Sequence, residues 1–228
     1  MKRLTLCTLF LAGLFATQVM TAQKAVKPAA QPADLPAPTT NFISDDDGGT
    51  VQVVPANLAT PGPRKAHAAP IMKSVQQVSI FLGSAWADQN VRSREAALSD
   101  LSGHSHLVDL QNSHATILSA AQSVEDFTDL KDPVNDLAIQ RKLVDMLESK
   151  TLPAPDASTV FVVFLAPGTK STVGTHTAGV DYAAYHNLIH GEAGELRYVV
   201  VPFQENASHQ VAAASLALVE TVFNPGSN

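Results

Sequence analysis

The chain has 228 residues, 45% of them hydrophobic, and its 21 acidic residues outweigh 15 basic ones for a formal net charge of −6. That balance excludes nucleic acid and anionic membrane surfaces as partners, because neutralising phosphates needs a basic face that the sequence does not supply. With a single cysteine, Cys7, it also excludes a disulfide framework and cysteine-based zinc sites.

Residues 1–22 read as an export signal. Lys2 and Arg3 precede the apolar run "LTLCTLFLAGLFA" and the small-residue stretch "TQVMTA", the order of a basic, an apolar and a cleavage region. The run falls short of the ~20 apolar residues that span a bilayer, so no integral membrane segment is expected after signal removal. Cleavage would take Cys7 with it and place the rest in the periplasm or outside the cell. Residues 23–70 are rich in Pro and Ala and hold no apolar period, which predicts a disordered linker. Within it, "SDDDGG" (44–49) lacks the alternating ligands and terminal Glu of a calcium loop and reads as a solvated acidic turn.

Residues 71–228 are expected to form one domain. "QQVSIFLGSAW" (76–86) alternates and then runs apolar, which predicts a buried strand. "RSREAALSDLSG" (92–103) predicts a short helix with Gly103 as its C-cap. "GHSH" (103–106) puts His104 and His106 two apart, and His114 follows; on a strand the pair would share one face. The segment reads as a polar loop leading into a strand or helix.

Asp132-Pro133 suggests an N-cap and first helical residue, with Leu137, Leu143, Val144 and Leu147 as the apolar stripe of a helix running to about Ser149. "TVFVVFLAPG" (159–168) is a continuous apolar run stopped by Pro-Gly, hence a central strand, and "ELRYVVVPF" (195–203) is another. In "YHNLIH" (185–190), His186 and His190 stand four apart. On a helix they could flank one ion; on a strand they would lie more than ~12 Å apart and could not. A final helix is predicted from Ser208 to Phe223, stopped at Asn224-Pro225-Gly226. Together these elements predict an α/β or α+β layered domain with a central mixed sheet of about four strands and a C-terminal helix.

Four stretches resemble an exported bacterial family similar to zinc-dependent peptidases: "IFLGSAWAD" (80–88), "LVDMLESKTLPAPDASTVFVVFLAPGT" (143–169), "AYHNLIHGEAGELRYVVVP" (184–202) and "SLALVETVFNP" (215–225). The resemblance implies a zincin-like fold. In that family the last stretch reads S-H-E-L-V-E-x-x-T-D-P, where a His and a residue one turn on hold zinc and the Glu after the His activates the metal-bound water. Here Ser215 stands at the Ser, but Leu216 takes the His position and Ala217 that of the catalytic Glu. Leu218, Val219 and Glu220 match, Asn224 replaces the Asp, and Pro225 matches.

Leucine offers no lone pair to a metal and alanine accepts no proton, so the resemblance implies a degenerate active-site helix, with no catalytic residue and no cofactor. Tyr185 and His186 are the expected polar residues of a retained cleft, with His190 and His209 as further candidates. His209 has Ala213 at i+4 and so no second ligand on its face; it reads as a helix-terminal or loop histidine. The expected role is a binding or structural one, toward an unidentified protein or peptide. The alternatives are an active secreted hydrolase that holds zinc through His186, His190, His209 or Glu220, and an adhesion or matrix module.

Overall fold

The computed structural model describes residues 41–44, 49–58, 71–114, 116–191 and 194–224, all belonging to one compact unit. The expected signal peptide with Cys7, most of the Pro- and Ala-rich stretch, the centre of the acidic turn and the Pro225-Gly226 stop lie outside the described residues. In chain order the elements are strands β1 (Asn41–Ser44), β2 (Thr50–Pro55) and β3 (Ser74–Leu82), a 3-10 turn (Ser84–Ala87), helices α1 (Gln89–Arg92), α2 (Glu95–Ser99) and α3 (Ser105–His114), strands β4 (Ile117–Asp126) and β5 (Val134–Asn135), helix α4 (Asp136–Glu148), strands β6 (Thr159–Leu165), β7 (Ser171–Val173), β8 (His176–Thr177), β9 (Tyr182–Gly191) and β10 (Gly194–Val201), and helix α5 (Ala207–Phe223).

Seven strands form one mixed sheet in the order β1-β2-β9-β10-β6-β3-β4, and β5, β7 and β8 form a small second sheet. β10, β6, β3 and β4 run parallel, while β9, β2 and β1 extend the sheet in antiparallel fashion. Helices cover both faces. Leu98 of α2, Leu107 and Leu110 of α3 and the apolar residues of α5 share one core with Val160, Val162 and Phe164 of β6. Ile139, Leu143 and Met146 of α4 share the other with Phe161, Val163 and Leu165. A strand covered on both faces must be apolar at every position, and β6 is buried throughout.

The sheet has seven strands rather than four for two reasons. The first concerns the presumed linker, where "TVQVVP" becomes β2. A short polar-flanked segment has no hydrogen-bonding ladder of its own, but β9 supplies one: Gln52 pairs with His186, Val53 with Tyr185 and Val54 with Ala184. Val51, Val53 and Val54 are then buried. The second is β4, which continues the parallel ladder beyond β3 although its residues are mostly exposed, so it shows little of the burial pattern that marks a strand.

Smaller corrections follow from capping and crowding. The helix expected over 92–103 is split into α1 and α2, and α2 ends at Asp100 in an extended conformation, so Gly103 caps nothing. Pro133 precedes the helix rather than starting it: Val134 and Asn135 pair with β7, and Asn135 caps α4 by accepting a hydrogen bond from the Ala138 backbone at 3.0 Å. The buried stripe of α4 is accordingly Ile139, Leu143 and Met146, with Val144 exposed. Of the two continuations left open after "GHSH", strand or helix, the chain takes the helix, α3. His104 and His106 have ring centroids 5.1 Å apart, whereas His114 packs edge-on against Phe223.

The β1–β2 hairpin is therefore part of the domain, and each buried valine contributes on the order of 1.5 to 3 kcal/mol. Deleting residues up to Leu58 is expected to lower stability by roughly 5 kcal/mol or more in denaturant melts, and limited proteolysis should yield a core that begins before Asn41. A stable core starting near Ile71, as melting-resistant as the full chain, would contradict this.

Candidate functional site

α5 carries Leu216, Ala217 and Glu220, the positions singled out in the sequence. Asn206 caps it, its side chain accepting hydrogen bonds from the backbone of Ser208 at 2.9 Å and His209 at 3.2 Å. The turn before it is held by Arg94, whose guanidinium donates to the carbonyls of Gln204 and Glu205 and sits over the Phe203 ring. A helix that is apolar on all sides has to be buried, and α5 is buried from Ala213 to Val222 without interruption. Its hydroxyls are satisfied within the helix: Ser215 Oγ donates to the Val211 carbonyl at 2.8 Å and Thr221 Oγ1 to the Ala217 carbonyl at 2.9 Å.

Leu216 and Ala217 both lie in the core on this face of the sheet, Leu216 at 6% exposure. Glu220, one turn further, is also buried, and Gln52 Nε2 lies 3.5 Å from its carboxylate. Gln52 is itself buried and stands opposite His186 across the β2–β9 ladder, so the two side chains share the α5 face. His186 is buried as well, and its Nε2 and Gln52 Oε1 have no hydrogen-bond partner among the described residues. Burial pushes the His186 pKa down to about 3, because desolvation disfavours the imidazolium. The underside of α5 thus holds a buried polar set of Gln52, His186 and Glu220.

The other candidates do not join it. Tyr185 points to the opposite face of β9, where it packs with the α4 core. His190 and His209 are exposed, and His190 pairs with Glu195 across β9 and β10. Asn224 terminates α5, its backbone donating to the Glu220 carbonyl at 2.8 Å. Among the described residues no group of three or more His, Cys, Asp or Glu comes together in a way that could hold a metal ion, and no helix is long and apolar enough to cross a membrane.

A second constellation, on the opposite face, was not foreseen from the sequence. Asp136, in the first turn of α4, is buried and accepts hydrogen bonds from Tyr198 at 2.8 Å, Gln140 at 2.7 Å and Asn187 at 3.0 Å. Burial raises its pKa, and these three donors pull it back. Beside it Tyr182 and Ser171 share a hydrogen bond of 2.9 Å. Tyr182 and Tyr185 face the same side because the β2–β9 register shifts between Val54 and Pro55. Ala183 is then the extra residue of a bulge, which reverses the facing of what precedes it. The only signal in the sequence was an Asp directly after an N-capping Asn, and nothing local predicts its tyrosine partners.

Comparison with known protein families, with curated proteins and with solved structures finds no match to this chain.

Two measurements test the energetics. The His186 pKa lies below its ordinary 6.5 in the folded chain, so the stability that depends on a neutral imidazole is fully present above pH 6.5 and is lost as pH falls toward 3. The slope approaches 1.4 kcal/mol per pH unit, or roughly 2 to 3 kcal/mol by pH 4.5. Asp136, with a raised pKa, acts in the opposite sense. His186→Gln is expected to flatten this acid limb in denaturant melts between pH 6.5 and 4.5; an unchanged slope would show that the imidazole is already charged or hydrated. Tyr198→Phe, which removes a donor from the buried Asp136, is expected to cost about 1 to 3 kcal/mol at pH 7 and less at pH 4, where the carboxyl takes up its proton.

Proposed function

We propose that this chain is an exported, zincin-like domain of the metallopeptidase type in which the catalytic helix has become a core helix, and that it serves as a non-catalytic binding or structural module in the cell envelope or outside the cell. The observation that supports this reading most directly is the burial of Leu216 and Ala217 in the packed core beneath and beside α5. These are the positions where the resembled family carries its zinc-binding His and water-activating Glu. Both replacements suit a core: leucine adds apolar burial, and alanine permits close approach of helix and sheet. A second reading, a hydrolase using a displaced set of groups, draws support from the neutral imidazole of His186 beside Gln52 and Glu220, since an unprotonated imidazole is the form that binds metals.

One experiment separates them. Wild-type protein is expected to show no chelator-sensitive cleavage of peptide substrates. Leu216→His combined with Ala217→Glu is expected to lower stability by about 3 to 6 kcal/mol, since it replaces buried apolar side chains with polar ones. Zinc affinity should rise only when Asn224→Asp is added. Peptidase activity of the wild type that EDTA removes, and that His186→Ala or Glu220→Gln abolishes, would overturn the non-catalytic reading in favour of the hydrolase.

A further inference from the structure

The two ends of the seven-stranded sheet differ. One end is β1, a strand of four residues. The other is β4, ten residues long, which among the described residues pairs only with β3. The far side of β4 therefore presents a row of backbone N–H and C=O groups, and natural edges of this length are shielded by charge, proline, shortness or a covering element. From Ile117 to Val124 the sequence is "ILSAAQSV", with no charged residue, proline or glycine. Every residue in it is exposed or half-buried, Ile117 at 67%. The charges of the strand itself, Glu125 and Asp126, are engaged by Arg92 and by Lys142, and Lys73 beside its start reaches the His114 carbonyl. The one protective feature is a bulge: Ala120 pairs with Gln77 and Gln122 with Val78, which leaves Ala121 as the extra residue.

We propose that β4 is a homodimerisation edge, at which two copies of this chain pair antiparallel about a two-fold axis and join their sheets into one. The occupant is a second copy because the strand is complementary to itself. With the axis between Ala120 and Ala121, Ile117 faces Val124, Leu118 faces Ser123, Ser119 faces Gln122, and Ala120 faces Ala121. The exposed isoleucine meets the other apolar end, the small residues meet at the centre, and the acidic residues fall beyond the paired segment, so no like charges oppose each other. Antiparallel pairing of one strand with its own copy is what a closed two-fold contact requires. The bulge does not disturb the register, since each copy contributes its extra residue at the axis and the two shifts cancel. A single strand pair buries less than a standard interface, so the dimer is a weak one that depends on concentration.

The test is sedimentation equilibrium of the full chain up to concentrations of about 100 µM and above, where association of this kind becomes populated. A mass approaching twice that of the chain is expected at the upper end. Ala120→Lys sets two ammonium groups against each other at the axis and should leave a monomer throughout the range with an unchanged melting temperature, because the position is exposed. As a second probe, Ala120→Cys in a Cys7→Ser background should form an intermolecular disulfide under mild oxidation at least tenfold faster than Val180→Cys, a position 76% exposed away from this edge. A wild type that stays monomeric, a dimer that survives Ala120→Lys, or equal cross-linking at the two cysteine positions would each overturn the proposal.

Discussion

The burial of α5 constrains the rest of the fold. A seventeen-residue helix that is apolar on nearly every side cannot rest on a sheet edge. It needs apolar strands beneath it and helices beside it. Val199 and Val201 of β10, Ala184 of β9 and Val54 of β2 provide the floor, and Leu98, Leu107 and Leu110 of α2 and α3 provide one flank. The alanines at 213, 214 and 217 are fully buried and shorten the distance from helix to sheet. Strand β2 belongs to the domain for the same reason, since without Gln52 and Val54 part of the sheet-facing side of α5 would meet water.

β9 carries two unlike chemistries on its two faces. Toward α4, Asn187 reaches Asp136 from β9 while Tyr198 reaches it from β10, and the carboxylate is saturated by donors. A buried ion satisfied in this way stiffens its surroundings. Toward α5, His186 and Gln52 are buried with polar atoms that have no hydrogen-bond partner among the described residues, at a cost of about 1 to 3 kcal/mol for each such group. Selection for stability alone would replace both with apolar residues.

The two sheet edges are likewise treated differently. On the β9 side, the β1–β2 hairpin closes the ladder with residues that bury three valines. On the β4 side the edge is left with an uncharged and mostly exposed strand, which is the feature that favours a second copy of the chain. A weak two-fold contact of this kind would bring two copies of every exposed surface together, and avidity gained in this way needs no new contacts.

How much of this could be read in the sequence depended on whether the signal was local. The continuous apolar run of β6, the similar run of β10 and the length of α5 were legible because burial on all sides writes itself directly into composition. The burial of Leu216 and Ala217 is legible for the same reason, since both stand in the most apolar stretch of α5. α4 starts later than expected because Asn135, not Asp132, carries the cap, and two capping residues three positions apart look alike in one dimension. β2, β4, the bulge at Ala183 and the grouping of Gln52 with His186 and Glu220 were decided only by the tertiary structure. Each depends on a neighbour far along the chain that supplies hydrogen bonds or a facing side chain, and a strand whose partner is more than a hundred residues away, as β9 is from β2, leaves no periodic trace of that pairing in its own sequence.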